Sequence, residues 1–75
     1  MTFIQWIDKH IPKGNELKYL KKAGLCKNLI YIWRIKKAKP SCLSIIYLSM
    51  VICIEQNKIY KNVVVEGIKA GSTNG

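Results

Sequence analysis

The chain has 75 residues, and its 49% apolar content suffices for one domain with a modest core. Thirteen Lys and Arg residues oppose four Asp and Glu residues, so the formal charge of +9 predicts attraction to polyanions. Three cysteines without a CxxC spacing argue against a disulfide framework and a zinc site, and they favour reduced thiols in the cytoplasm. We expect no secretory signal, because no basic leader precedes an apolar run.

The first two predicted elements are short helices. Thr2 is a suitable N-cap for a helix over residues 3–10, whose apolar residues recur at helical spacing. Asn15 is a suitable N-cap for a second helix over residues 16–23. We expect Gly24 to end that helix, because the residue after a helix commonly needs a positive φ.

Two longer helices follow in the prediction. Residues 27–36 fit a third helix, with Ile30 and Trp33 on its inner face. Residues 42–54 contain no charged side chain, and Ser41 is a suitable cap for a helix there. Their Ile and Val content also suits a strand, but the length favours a helix. Such a helix spans about 20 Å, too short to cross a bilayer, and it must be covered on more than one side.

The C-terminal part is predicted to differ from the rest. The β-branched run Val63, Val64 and Val65 predicts a short strand or extended arm, and the Gly- and Ser-containing residues 71–75 predict a disordered tail. We therefore divide the chain into a domain over residues 1–56, an arm over 57–70 and the tail. The expected fold is all-α with four to five short helices, and the alternative is α+β if the arm is a strand.

The segment from Glu16 to Trp33 has the spacing of two helices joined by a tight turn. Counted from Glu16, apolar residues occupy the fourth, eighth, tenth, fifteenth and eighteenth positions, and glycine occupies the ninth. This pattern resembles the helix-turn-helix of lambda-repressor-like and Cro proteins. Residues 39–48, in which Pro40 and Ser41 open the next helix, are similar to the same family. The core residues of the motif are Tyr19, Leu20, Ala23, Gly24, Leu25, Ile30 and Trp33.

The resemblance implies that the third helix enters the major groove of double-stranded DNA. Lys27 can donate to guanine, Asn28 can pair with adenine, and Ile32 can contact a thymine methyl group. Eight of the 13 basic residues lie between Lys18 and Lys39, where there is no acidic residue. The expected base contacts are Lys27, Asn28, Tyr31 and Ile32. The expected phosphate contacts are Asn15, Lys18, Arg34, Lys36, Lys37 and Lys39.

The resemblance also implies a transcriptional regulator of the repressor type, from a phage or prophage, that binds a palindromic operator as a homodimer. The expected dimer residues are Ile46, Met50, Val51, Ile54, Val63 and Val65. One alternative is an antitoxin that holds a toxin and represses its own operon. Another is a basic peripheral protein at an anionic membrane, although residues 42–54 lack the polar face of an interfacial helix.

Catalytic constellations are missing from the sequence. It has no paired carboxylates, no Gly-rich phosphate loop and no Ser, His and Asp set. His10 has no ligand or nucleophile partner in its vicinity and is interpreted as a helix-end histidine. We therefore expect no enzyme activity, no cofactor, no metal and no small-molecule substrate.

Overall fold

Five α-helices form the part of the chain that the computed structural model describes, residues 1–72, and no strand occurs in that range. The predicted all-α fold is confirmed. The helices are α1 (Phe3–His10), α2 (Glu16–Lys22), α3 (Leu29–Arg34), α4 (Cys42–Gln56) and α5 (Tyr60–Gly71).

Side-chain caps begin two of the three helices for which they were predicted, α1 and α4. Thr2 accepts a hydrogen bond from the backbone N–H of Gln5, whose own side chain accepts from the N–H of Thr2. Ser41 caps α4 by accepting from the N–H of Ser44, at 3.1 Å. At its other end α4 stops at Asn57, which adopts the left-handed conformation that asparagine tolerates.

The start of α2 and the length of α3 differ from the prediction. Asn15 occupies the N-cap position of α2 but makes no side-chain cap bond. Lys27 lies in a turn before α3, and Asn28 precedes its first residue without capping it. Beyond the end of α3 the chain reaches Lys37, whose positive φ of 53° takes it out of the helical conformation. The helix covers six residues, Leu29–Arg34, whereas residues 27–36 were predicted.

An aromatic cluster around Trp6 forms the centre of the core. Trp6 is 0% exposed, and its indole N–H donates to the backbone carbonyl of Val63 at 3.3 Å. The ring of Phe3 stacks on Trp6 and meets Trp33 edge-on, with centroid distances of 5.3 and 4.9 Å. Because these residues come from α1, α3 and α5, the cluster connects the two ends of the chain to its middle.

The predicted C-terminal strand is wrong, since residues 60–71 are helical. Val63, Gly67 and Ala70 repeat at helical spacing and are all buried, so packing overrides the strand preference of the valine run. The separate arm over 57–70 is also wrong, because α5 packs on α4 and α1 and supplies core residues. Of the predicted disordered tail, Gly71 and Ser72 end α5, and 73–75 lie outside the described residues.

Gly67 permits the close approach of α5 to the core. A Cβ atom added there would lie 2.8 Å from Trp6 and 2.8 Å from Ile45. Only a residue without a side chain fits at that distance, because real Cβ contacts do not come so close. A glycine in this helix is therefore explained by packing rather than by backbone freedom.

Helix α4 is apolar on two opposite sides, but only one of them is covered. Ile45, Leu48 and Ile52 are at most 3% exposed and face the core. On the outer side lie four exposed apolar side chains, which we call the outer stripe: Leu43, Tyr47, Met50 and Ile54. Within residues 1–72 no helix combines the length and apolar character needed to cross a membrane.

His10 ends α1, as the sequence predicts, but it is not without partners. The side chain is buried, and its Nε2 lies 2.5 Å from a carboxylate oxygen of Glu66. The ammonium of Lys58 lies 3.0 Å from Nδ1, and because an ammonium can only donate, Nδ1 accepts and Nε2–H donates to Glu66. A hydrogen bond from Lys9, followed by the one from His10, lowers the pKa of Glu66.

The lowered pKa of Glu66 predicts how stability depends on pH. A carboxyl group whose pKa is lower in the folded state contributes stability above its unfolded pKa, and this contribution disappears as the pH falls through the folded value. We expect Glu66→Gln to be less stable than the wild type at neutral pH. The difference should shrink as the pH falls below 4.5, the ordinary value for this group. Urea unfolding across the acidic range measures it; a constant difference would contradict the prediction.

The packing of α5 predicts unequal effects of two alanine substitutions. Gly67→Ala should lower the free energy of unfolding by about 1–3 kcal/mol, because the new methyl group overlaps the rigid Trp6 ring. Gly71→Ala is the matched control. Its closest neighbour is Cδ1 of Ile45, the end of a side chain that can rotate away, so we expect a loss below about 1 kcal/mol. Equal losses in urea unfolding would disagree with this account.

Candidate nucleic-acid interface

The turn between α2 and α3 is a Schellman motif centred on Gly24. The N–H of Leu25 donates to the carbonyl of Leu20 at 2.9 Å, and the N–H of Gly24 donates to the carbonyl of Lys21 at 3.0 Å. Gly24 has a φ of +74°, so the predicted positive φ at this glycine is confirmed. The two bonds satisfy carbonyl groups at the end of α2 and turn the chain toward α3.

The core positions of the proposed motif face inward to different degrees. Tyr19, Leu20 and Trp33 are buried, and Trp33 anchors α3 through the aromatic cluster. The remaining apolar positions are half-buried and pack against the core: Ala23, Leu25 and Ile30. The outward side of α3 is therefore available to a partner.

Three of the four predicted base contacts are exposed. Lys27 and Asn28 lie in the turn just before α3, and Tyr31 is 54% exposed on the helix itself. Ile32 differs, because it is half-buried and packs against the core. A helix of six residues that covers the core with Leu29, Ile30 and Trp33 also turns Ile32 partly inward, which leaves only part of its side chain for the predicted base contact.

Arg34 is already engaged by two carboxylates of the protein. Its guanidinium contacts Asp8 at 2.5 Å and Glu16 at 3.5 Å, which connects α3 to α1 and to the start of α2. The hydrogen bond with Asp8 raises the pKa of Arg34 against the opposing effect of burial. Arg34 therefore joins three helices in this structure, and two carboxylates of the protein share its guanidinium.

The other predicted phosphate contacts are exposed: Asn15, Lys18, Lys36, Lys37 and Lys39. All four acidic residues of the chain lie in the described part, and each contacts a basic residue. Glu55 pairs with Lys22, and Glu66 pairs with Lys9, while Asp8 and Glu16 share Arg34. We call residues 18–39 the central segment. Six exposed lysines in it have no carboxylate partner within residues 1–72, and we call them the unpaired lysines: Lys18, Lys21, Lys27, Lys36, Lys37 and Lys39.

An apolar groove between α2 and α3 was missed by the sequence analysis. Leu17, Tyr31 and Ile35 are each more than half exposed and line it together with Ile30. Leu17 lies on the same side of α2 as Leu20 and Ala23, a spacing typical of an inward position. It nevertheless remains at the surface, beside Tyr31 and Ile35.

The predicted dimer residues fall into two groups. Met50 and Ile54 belong to the outer stripe, Ile46 is half-buried, and Val65 is exposed on α5. Val51 and Val63 are buried in the core of the single chain. These two offer no surface to a second molecule, so their assignment to an interface is wrong.

No protein-family model, curated protein or solved structure matches this chain. Among residues 1–72, no three His, Cys, Asp or Glu side chains come together as a metal site requires. The three cysteines are free thiols. A functional proposal therefore depends on the geometry and charge of the chain's own residues.

The turn at Gly24 predicts a backbone effect that is separate from packing. Gly24→Ala should lower the free energy of unfolding by about 1–2 kcal/mol, because a Cβ atom disfavours the left-handed conformation. The added Cβ atom would meet no other atom within 4 Å, so packing does not contribute to this loss. Gly24→Asn is the control, since asparagine tolerates this conformation and should cost less. Urea unfolding compares the variants; an alanine variant as stable as the wild type would refute the strained-turn explanation.

Proposed function

We propose that this protein is a cytoplasmic, sequence-specific double-stranded DNA-binding regulator of the repressor type that acts as a homodimer on a palindromic operator. The main support is the distribution of charge around α3. Every acidic residue is used in an ion pair, whereas the lysines next to the turn before α3 and in the loop after it have no acidic partner. A surface of this kind attracts phosphates and releases their counterions.

The proposed contacts divide into base-reading and phosphate-binding residues. Lys27 and Asn28 precede α3, where side chains at the start of a recognition helix reach base edges. Tyr31 follows them on the exposed side of the helix. Lys37 and Lys39 lie in the loop after α3 and would hold the DNA backbone.

Arg34 has a different role in this proposal from the one that its position suggests. Through Asp8 and Glu16 it fixes α3 relative to α1 and α2. Holding a recognition element rigidly lowers the entropy that is lost when it binds. Arg34 would therefore support binding without contacting a phosphate.

An antitoxin is the second candidate. The outer stripe favours this candidate, because exposed apolar side chains provide a surface for a protein partner. In that case a toxin would cover α4 and the same chain would repress its own operon. A neighbouring reading frame for a small toxin would support this candidate.

Selection of bound duplexes from a random pool, followed by titration at several salt concentrations, tests the proposed function. We expect a two-fold symmetric consensus and an affinity that falls steeply with salt, with a slope of about −0.9 for each phosphate neutralised. Lys37→Ala should weaken binding to all sequences and reduce the slope by about one. Lys27→Ala should relax the preference at one base step and weaken binding to the preferred sequence by about 1–3 kcal/mol.

Lys61→Ala is the control for general charge, because Lys61 is an exposed lysine on α5 and lies outside the central segment. This variant should keep both its affinity and its sequence preference. A pool without a consensus, or equal losses for Lys61→Ala and Lys37→Ala, would show that binding is only a response to net charge and would overturn the proposal.

A further inference from the structure

The outer stripe is the largest group of apolar side chains on α4 that no other helix of the described chain covers. Its four members are 42–80% exposed, and Tyr60 lies next to Met50 and Ile54 at one end. With roughly 200 Å² for a fully exposed large side chain, the five side chains present about 500 Å² of apolar surface. A standard interface buries roughly 800 Å² on each partner, and somewhat more than half of that area is apolar. The apolar area of these five side chains is therefore close to what one partner contributes to such an interface.

The spacing of the outer stripe indicates what covers it. Leu43, Tyr47, Met50 and Ile54 follow one another at intervals of four, three and four residues, the spacing of a helix-pairing seam. The intervals read the same in both directions. In an antiparallel pair of identical helices, Leu43 therefore faces Ile54 of the other copy, and Tyr47 faces Met50 of the other copy. This is the self-complementarity that a two-fold contact requires.

We propose that a second copy of this chain covers the outer stripe, with α4 packed antiparallel to α4 of its partner. The inference deepens the proposed function and rests on it in one respect, since it supplies the contact that an operator-binding dimer needs. It also names Leu43 and Tyr47 as interface residues beside Met50 and Ile54.

Charge supports a second copy as the occupant. Two chains of +9 repel each other over most of their surfaces, but residues 42–54 contain no charged side chain. The seam can therefore close without burying an ammonium group. A membrane surface is a poorer fit, because an interfacial helix carries its basic residues on the face opposite to its apolar one, and that face of α4 is in the core.

Two leucine substitutions of the whole chain test the site of contact. Leu43 on the outer stripe and Leu17 in the α2–α3 groove are 58% and 54% exposed. Sedimentation equilibrium without DNA should give twice 8.6 kDa for the wild type. Leu43→Glu should raise the dissociation constant by more than about 100-fold, because each dimer would bury two carboxylates. Leu17→Glu should leave it unchanged, and circular dichroism checks that both variants are folded.

A complementary pair of variants tests the antiparallel direction. Leu43→Lys and Ile54→Glu should each be monomeric alone. When they are mixed, an antiparallel seam pairs the new lysine with the new glutamate and restores Leu43 against Ile54 at the other contact, so a heterodimer should form. A parallel seam offers no such pairing. A dimeric wild type whose two variants do not associate on mixing would overturn the antiparallel arrangement.

The remaining outcomes also decide the proposal. A wild-type monomer throughout the dilution series, a dimer disrupted by Leu17→Glu instead of Leu43→Glu, or a monomer that sediments with anionic vesicles would each overturn it. DNA binding is measured separately by gel shift. A dimer without DNA binding would overturn only the proposed function. A monomer that binds operator DNA would overturn the dimer and leave the DNA-binding part of the proposed function standing.

Discussion

The contact between Trp6 and α5 is the interaction on which the rest of the structure depends. Trp6 has no exposed surface, its indole N–H donates to the carbonyl of Val63, and Gly67 packs closely against its ring. This contact closes the core with the last helix of the chain. While α5 packs on α1 and α4, the short α3 places Trp33 in the aromatic cluster and leaves Tyr31 exposed on its outer side.

The few acidic residues and the many basic ones have separate tasks. Each ion pair connects two helices: Glu55 of α4 with Lys22 of α2, and Glu66 of α5 with Lys9 of α1, while Arg34 joins α3 to Asp8 of α1 and Glu16 of α2. The acids thus hold helices in place, and no acid neutralises the unpaired lysines. The charge excess in the composition is therefore also a local excess near α3, which the proposed DNA-binding function uses.

Local signals predicted the fold well, and long-range contacts account for the errors. Caps, the turn glycine and helical spacing act within a few residues, so α1, α2, α4 and the conformation of Gly24 followed from the sequence. The helicity of α5 depends on the fit of Gly67 against Trp6, which is distant in sequence, and a valine run alone favours a strand. The pairing of Arg34 with Asp8 and the inward turn of Ile32 depend in the same way on the tertiary arrangement.

The position of Arg34 has a consequence for how ionic strength acts on this protein. Dissolved salt screens the partly exposed bonds from its guanidinium to Asp8 and Glu16, just as it screens lysine–phosphate attraction. A high salt concentration would thus weaken the ion pairs that hold α3 in the free protein. It would also weaken the proposed contacts between lysines and DNA phosphates. The salt dependence of a measured affinity would therefore contain both effects. Measuring the mobility of α3 in the unbound protein at each salt concentration would separate the first effect from the second.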